Sequence, residues 1–240
     1  MIQTMKVFQI LWILLVGAGL WACSSASVFV QTDKVAINTS ISPDDSLQAF
    51  IEPYQKELAA NMDRVIGYAT GDLLRDRPEG ALGNFVIDET ENYLKEEGLL
   101  NGKHYISIMN HGGLRSPISQ GNITVGDIYR LMPFDNTVVL AKLPAKEILS
   151  IVEYLKKSGG EPIGGFQILG EDYNLLNEVV VGDTLYVITT DYLANGGDNM
   201  SFFKRSYETT DTGIFLREAL IKRVEAMDTI RPILDNRIKW

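Results

Sequence analysis

Four short segments carry side chains able to grip a flat, polar, phosphorylated ligand. They are Asn110-His111-Gly112-Gly113-Leu114-Arg115, Met132-Pro133-Phe134-Asp135-Asn136, Asp191-Tyr192-Leu193-Ala194-Asn195-Gly196-Gly197-Asp198, and Arg75-Asp76-Arg77-Pro78. Two aromatic rings, Phe134 and Tyr192, could hold a base between them, each face contributing roughly 1–3 kcal/mol. Asp198 could accept from two vicinal ribose hydroxyls, and arginine forks suit phosphate oxygens. The amide of Asn110 carries both a donor and an acceptor, enough to read a base edge. Glycines such as Gly197 let main chain approach a ligand with no Cβ in the way. Taken singly, each feature has a plain structural explanation, as a core ring, a turn or a solvated arginine. Their common placement is what distinguishes them, because every segment adjoins the end of a patterned strand or helix.

The positioning elements follow from hydrophobic periodicity and from caps. Tyr105 to Met109 is a short apolar run suited to a buried strand, and it ends immediately before Asn110. Thr137 to Leu143 reads as a strand beginning just after Asn136, and Leu185 to Thr190 as one ending just before Asp191. Leu82 to Glu97 reads as a helix stopped by Gly98, opening beyond the Arg75–Arg77 segment. Thr124 and Asp127 have the spacing of a capping box, and Pro133 ends the short helix they open. Pro144 to Ser158 is the clearest helix, with a stripe of Ile148, Leu149, Val152 and Leu155 and Gly159-Gly160 beyond its end.

Elsewhere, strands are predicted over Val28–Asn38, Phe166–Leu169 and Glu178–Val181. Ser42-Pro43-Asp44-Asp45 opens a helix whose stripe is Leu47, Phe50, Ile51, Tyr54, Leu58, Met62 and Ile66, and Pro53 predicts a kink or a break in it. Asp211 or Thr212 is predicted to cap a last helix reaching Met227, leaving Arg231–Trp240 as a tail. Strands and helices interleave without strict alternation. That pattern predicts a single α+β domain, a mixed β-sheet with flanking helices, over residues 46–240.

Composition narrows the function. Of 240 residues, 45% are apolar and 22% charged, an ordinary globular mix with no internal repeat. Against 31 acidic residues stand 22 basic ones, a net charge of −9, which argues against a nucleic-acid coat. A lone cysteine excludes a disulfide framework, and two histidines leave little for a metal site.

Residues 1–22 have the layout of a secretory leader: Lys6, then an apolar run from Val7 to Leu20, then small polar residues. The leader ends in Leu20-Trp21-Ala22-Cys23, which resembles the lipobox of bacterial lipoproteins, where the cysteine is lipidated and heads the mature chain. Residues 23–45 then form an N-terminal linker and strand. The resemblance implies export to the cell envelope and anchoring to a membrane through lipid on Cys23.

The segments Asn110-x-Gly-Gly-Leu-Arg115-x-Pro-Ile, Gly121-Asn-Ile-Thr-x-Gly-Asp-Ile, Met-Pro-Phe134-x-Asn136 and Tyr192-Leu-Ala-Asn-Gly-Gly-Asp198, in this order, resemble the C-terminal domain of the 5′-nucleotidase / UDP-sugar hydrolase family. The similarity runs from roughly Val65 to Ile238. In that family the domain binds the nucleoside part of the substrate. The resemblance implies that Phe134 and Tyr192 stack the base with Asn110 beside them. It further implies that Asp198 holds the ribose, Arg115 faces the phosphate or the catalytic centre, and Asn136 and Gly197 complete the contacts. The second ring is often Phe in the family, so the hydroxyl of Tyr192 needs a partner of its own. Arg75 and Arg77 both lie near the family's upstream arginine, and Arg77 is the preferred match.

Hydrolysis in the family belongs to a separate metallophosphoesterase domain with two divalent metals, about 3.5–4 Å apart, that activate a water. His104 and His111 are this chain's only histidines, and no Asp-x-His or Gly-His-x-His run exists. No catalytic residue and no metal ligand is therefore assigned here, and His111 as a general base has only Arg115 nearby to support it. The implied function is the nucleotide-recognising component of a 5′-nucleotidase-type hydrolase, its divalent metals carried by a separate metallophosphoesterase chain. The alternative is an envelope lipoprotein that binds nucleotides or nucleosides without catalysis.

Overall fold

Two strands run through the centre of the molecule and bury both faces. The computed structural model describes Ala36, Asn38 and residues 41–240. The leader with Cys23, and the strand predicted over Val28–Asn38 except Ala36 and Asn38, lie outside the described residues. The central strands are β2 (Ile106–Ile108) and β9 (Thr184–Thr190), parallel neighbours in register Ile106 to Val187. Their side chains alternate between two cores, as a period of two requires. Tyr105, Met109, Tyr186 and Ile188 enter one core, while Ile106, Ile108, Leu185 and Val187 enter the other. Burial on both faces explains why these strands read as continuous apolar runs.

Antiparallel strands extend this sheet. β4 (Thr137–Pro144) pairs with β9, and β10 (Glu208–Phe215) pairs with β4. On the other side the two-residue β5 (Ile163–Gly164) pairs with β2, and β8 (Val180–Val181) forms a hairpin with β9. The first core lies between this sheet and two helices, α2 (Ala81–Glu96) and α6 (Leu216–Met227), joined by the buried ion pair of Arg223 with Glu89. The second core packs under α4 (Glu147–Ser158) through Ile148, Ile151, Val152 and Leu155.

Two small sheets complete the α+β domain. One orders β11 (Thr229–Ile230), β1 (Val65–Ala69) and β3 (Gly121–Thr124). The other orders β12 (Ile238–Lys239), β6 (Phe166–Leu169) and β7 (Asp172–Leu175). The single predicted sheet is thus three sheets with flanking helices. The predicted C-terminal tail is also structured. Ile238 pairs with Ile168, and the buried Arg237 donates to the carboxylates of Asp88 and Asp235 and to the carbonyl of Ile163.

Local chemistry explains where elements begin and end. α3 (Val125–Leu131) opens on the predicted capping box: Asp127 N–H donates to Thr124 Oγ1, and Thr124 N–H to Asp127 Oδ2. α4 starts at Glu147, three residues later than predicted, because Pro144 is still the last residue of β4. Leu149 is solvent-exposed and Ile151 takes its predicted core place; Gly159, at φ +80°, closes the helix in the left-handed region that glycine favours.

Two helix predictions need correction. α1 (Asp45–Met62) is capped by Asp44, whose Oδ1 accepts from the N–H groups of Ser46 and Leu47, so Ser42 is not the cap. It runs unbroken through Pro53, and Leu47, Phe50, Tyr54 and Leu58 stand exposed, while Ile66 belongs to β1. Asp211 and Thr212 cap nothing. They lie in β10, where Thr212 Oγ1 donates to the carbonyl of Val138 at 2.7 Å, and α6 begins only at Leu216.

Candidate functional site

Strand direction brings the predicted segments to one edge. β2 and β9 point their carboxyl ends the same way, and β4, antiparallel to β9, begins there, with Val138 opposite Thr190. Asn110 therefore leaves β2, Tyr192 leaves β9 and Asn136 enters β4 at one margin, the usual place for a ligand crevice beside a parallel strand pair. A cleft of about 300 Å³ opens there, lined by Asn110, Gly112, Gly113, Arg115, Phe134, Asn136, Tyr192 and Asp198. Six of the eight residues assigned to ligand binding from sequence line it. Gly197 and Arg77 do not.

Tyr192 sits in the short helix α5 (Asp191–Ala194), capped by the hydroxyl of Thr190. Its ring lies directly on the main chain of Gly197, where a Cβ would come within 2.5 Å of ring carbons. Gly197 thus acts beneath the ring, and any larger residue would displace it. The Tyr192 hydroxyl donates to Asp198 Oδ1 at 2.8 Å and accepts from the Asp198 N–H at 3.3 Å. This bond holds the phenol above its usual pKa, because ionising it would set a phenolate against the carboxylate.

Three further bonds or constraints fix Asp198. Asn110 Nδ2 donates to its Oδ2 at 2.6 Å, and Tyr154, on α4, donates to its carbonyl at 3.0 Å. Its backbone sits at φ +49°, a left-handed conformation that aspartate tolerates better than most residues. Tyr154 packs edge-on against Phe202, and burial, reinforced by Glu161 and Asp198, pushes its hydroxyl up to about 12, so it stays a donor at neutral pH.

Phe134 is held differently. Its ring is 36% exposed and carries the guanidinium of Arg115 at 5.1 Å from its centroid. Behind it, Arg217 of α6 donates to the carbonyls of Met132 and Phe134 at 3.3 and 3.2 Å and to Asp135 Oδ1 at 2.6 Å. The same guanidinium stacks on Tyr129 at 4.2 Å, with only 10% of its side chain exposed. The N–H of Leu216 adds a bond to the Asn136 carbonyl. No sequence pattern singled out Arg217, since its main acceptors are backbone groups far along the chain.

The arginine segment lies beside the cleft. Arg75 donates to the carbonyl of Leu114 at 2.8 Å, so it braces the Asn110–Arg115 loop. Arg77, preferred from sequence as a ligand-binding residue, pairs instead with the buried Glu161 at 2.9 Å. The other Glu161 oxygen accepts the N–H of His111. Glu161 holds Arg77 because its buried carboxylate, just beyond the end of α4, needs a cation to offset its charge. Burial pushes its pKa up, against the pull of the His111 amide and Arg77. Burial and the charges of Arg77 and Arg75 push the His111 imidazole down. Among the described residues, no group of three His, Cys, Asp or Glu side chains could hold a metal ion.

The model of the family described as "5'-nucleotidase, C-terminal domain" matches residues 65–185, half of the chain. The chain belongs to the 5′-nucleotidase C-terminal domain family. That match includes Asn110, Arg115, Phe134 and Asn136 and stops before Tyr192 and Asp198. Longer alignments cover the latter region as well. The trifunctional nucleotide phosphoesterase YfkN of Bacillus subtilis is 27% identical over 245 residues, covering 88% of this chain and 16% of that protein. The human 5′-nucleotidase is 26% identical over 241 residues, 86% of this chain and 42% of the enzyme. The crystal structure of a 5′-nucleotidase precursor from Thermus thermophilus superposes with a TM-score of 0.65 at 26% identity, covering 81% of this chain and 42% of that one. This chain therefore spans less than half the length of each of these relatives. Among the described residues, no helix is long and apolar enough to cross a membrane.

Proposed function

We propose that the cleft recognises the nucleoside part of a nucleotide and presents its phosphate for hydrolysis by a metallophosphoesterase unit carried on a separate chain. One observation supports this above all: two exposed rings, a pinned carboxylate, an amide and an arginine face a single opening of about 300 Å³. Phe134 and Tyr192 take the base, Asp198 the ribose hydroxyls, and Asn110 and Asn136 polar edges. Arg115, stacked on Phe134 with its fork exposed, meets the phosphate. Divalent metals would be held by the partner unit, where they would supply the activation of the attacking water. The Leu20–Cys23 motif supports an exported lipoprotein, held at the cell envelope through lipid on Cys23.

Calorimetry with the four ribonucleosides and their 5′-monophosphates tests the cleft, and micromolar or millimolar binding lost in Asp198→Ala is the expected result. Adding a metallophosphoesterase unit with Mn²⁺ should then give phosphate release that the chain alone does not give. Binding without such stimulation identifies a capture protein, and no binding at all overturns the reading. Radiolabelled palmitate incorporated by the full chain and lost in Cys23→Ser tests the anchor.

A further inference from the structure

Asp198 is exposed, so packing does not set the orientation of its carboxylate. Hydrogen bonds set it. Oδ1 accepts from the Tyr192 hydroxyl at 2.8 Å and Oδ2 from Asn110 Nδ2 at 2.6 Å. Because the same hydroxyl also accepts the Asp198 N–H, Tyr192 closes a small ring spanning residues 192–198. A carboxylate oxygen offers about two acceptor positions. With one on each oxygen taken by the protein, one on each remains, which is the number that two vicinal hydroxyls require.

We infer that the hydroxyl of Tyr192, separately from its ring, is a specificity-determining group that sets the preference for ribose over deoxyribose. It does so by holding Asp198 in one rotation. A phenylalanine ring could stack a base equally well, but it would leave Oδ1 untethered and the carboxylate free to turn about the Asn110 bond. One side chain therefore couples the base platform to the sugar grip. The inference rests on the nucleoside reading of the cleft and adds to it a division of labour within a single residue.

The test compares wild type, Tyr192→Phe and Asp198→Ala, all as the full chain, by calorimetry with adenosine, 2′-deoxyadenosine and adenine. Circular dichroism and melting confirm that each variant is folded. Wild type should prefer adenosine to 2′-deoxyadenosine by about tenfold or more, as expected for a hydrogen bond to a charged group. In Tyr192→Phe that ratio should collapse toward its value in Asp198→Ala, while adenine affinity stays within about twofold because the stacking face is kept. An unchanged ratio in Tyr192→Phe overturns the inference while leaving the nucleoside cleft standing. An equal loss for adenine and adenosine also overturns it, since the ring itself would then have moved. Wild-type protein that binds none of the three, nor the other ribonucleosides, removes the cleft reading and this inference together.

Discussion

The two aromatic walls of the cleft are anchored in opposite ways. The Tyr192 wall is held locally: its ring rests on Gly197, and its hydroxyl grips Asp198 six residues on. The Phe134 wall has no polar handle of its own and is held from behind by Arg217, which comes from another element 83 residues away. A locally closed loop keeps its shape as long as its own residues are intact. A wall clamped by a buried guanidinium depends on the docking of α6, and hence on the core beneath it. Stability and recognition are therefore coupled on one side of the cleft and largely separate on the other.

Removing Arg217 should show that coupling most strongly. Arg217→Met keeps much of the stacking on Tyr129 but orphans two carbonyls. It also frees Asp135, whose side chain is already 78% exposed. A buried hydrogen-bonded charge pair costs roughly 3–5 kcal/mol to break, and the exposure of Asp135 brings the expected loss to about 2–3 kcal/mol. Urea unfolding measures it as a lower midpoint at unchanged slope. Nucleoside affinity should fall in the same variant. A stability loss with affinity intact would show that the Phe134 wall does not need its clamp.

Truncating the rings should separate recognition from stability. Phe134→Ala and Tyr192→Ala each lose a stacking face, worth roughly 1–3 kcal/mol of binding, or about five- to a hundred-and-fiftyfold in affinity. Because Phe134 is 36% and Tyr192 46% exposed, melting temperatures should change little. The two losses should differ for sugar-dependent binding, with Tyr192→Ala costing more, because that side chain also orients Asp198. Equal losses across adenosine and 2′-deoxyadenosine would place both rings in the same purely stacking role.

A smaller effect should come from Gly197→Ala. The added methyl carbon would fall 2.5 Å from the Tyr192 ring, closer than real Cβ contacts, so the ring must swing outward. Since the ring is exposed, its movement costs little folding energy. Nucleoside affinity should drop about three- to tenfold, the lower part of the effect of losing the ring altogether. The matching substitution on the other wall, Asp135→Asn, keeps the carbonyl bonds from Arg217 and should leave affinity within about twofold.

This difference between the walls also governs how much could be read from sequence. The loops that carry the lining residues were legible because each adjoins a strand of three to eight residues, and strand direction carries all three loops to one margin. The supports were not. Arg217 sits between Leu216 and Ala219-Leu220 like any polar residue in an amphipathic helix, and its partners are mostly main-chain carbonyls without a side-chain signature. The ion pair of Arg77 was not legible either, because nothing in its own segment reveals the buried Glu161, 84 positions away. The capping box at Thr124 was legible because all its partners lie within one turn. β5, β11 and β12 span two residues each, too few for any alternation to register, and so three sheets read as one.

Glu161 offers the finest test, because it braces the loop leaving β2 through the His111 N–H. It accepts the His111 N–H and pairs with Arg77, yet burial dominates and raises its pKa above the ordinary carboxylate value. A raised folded-state pKa means that the native protein binds this proton more tightly than the unfolded chain. Between the unfolded value, near 4.5, and the higher folded value, the native state holds more protons, so this group makes stability fall as pH rises. Above the folded value its contribution is level. Asp127, whose carboxylate the Thr124 hydroxyl and amide hold low despite partial burial, acts in the opposite sense and loses its contribution only on acidification through its own lowered pKa. Unfolding free energy measured across this range in wild type and Glu161→Gln isolates the first slope, because glutamine keeps an acceptor for His111 but cannot titrate. The variant should lack the wild-type decline just above pH 4.5, while its acid limb, set by Asp127 and similar paired carboxylates, stays in place. A wild-type curve with the same slope as the variant would mean that Arg77 neutralises Glu161 fully, leaving this support insensitive to pH.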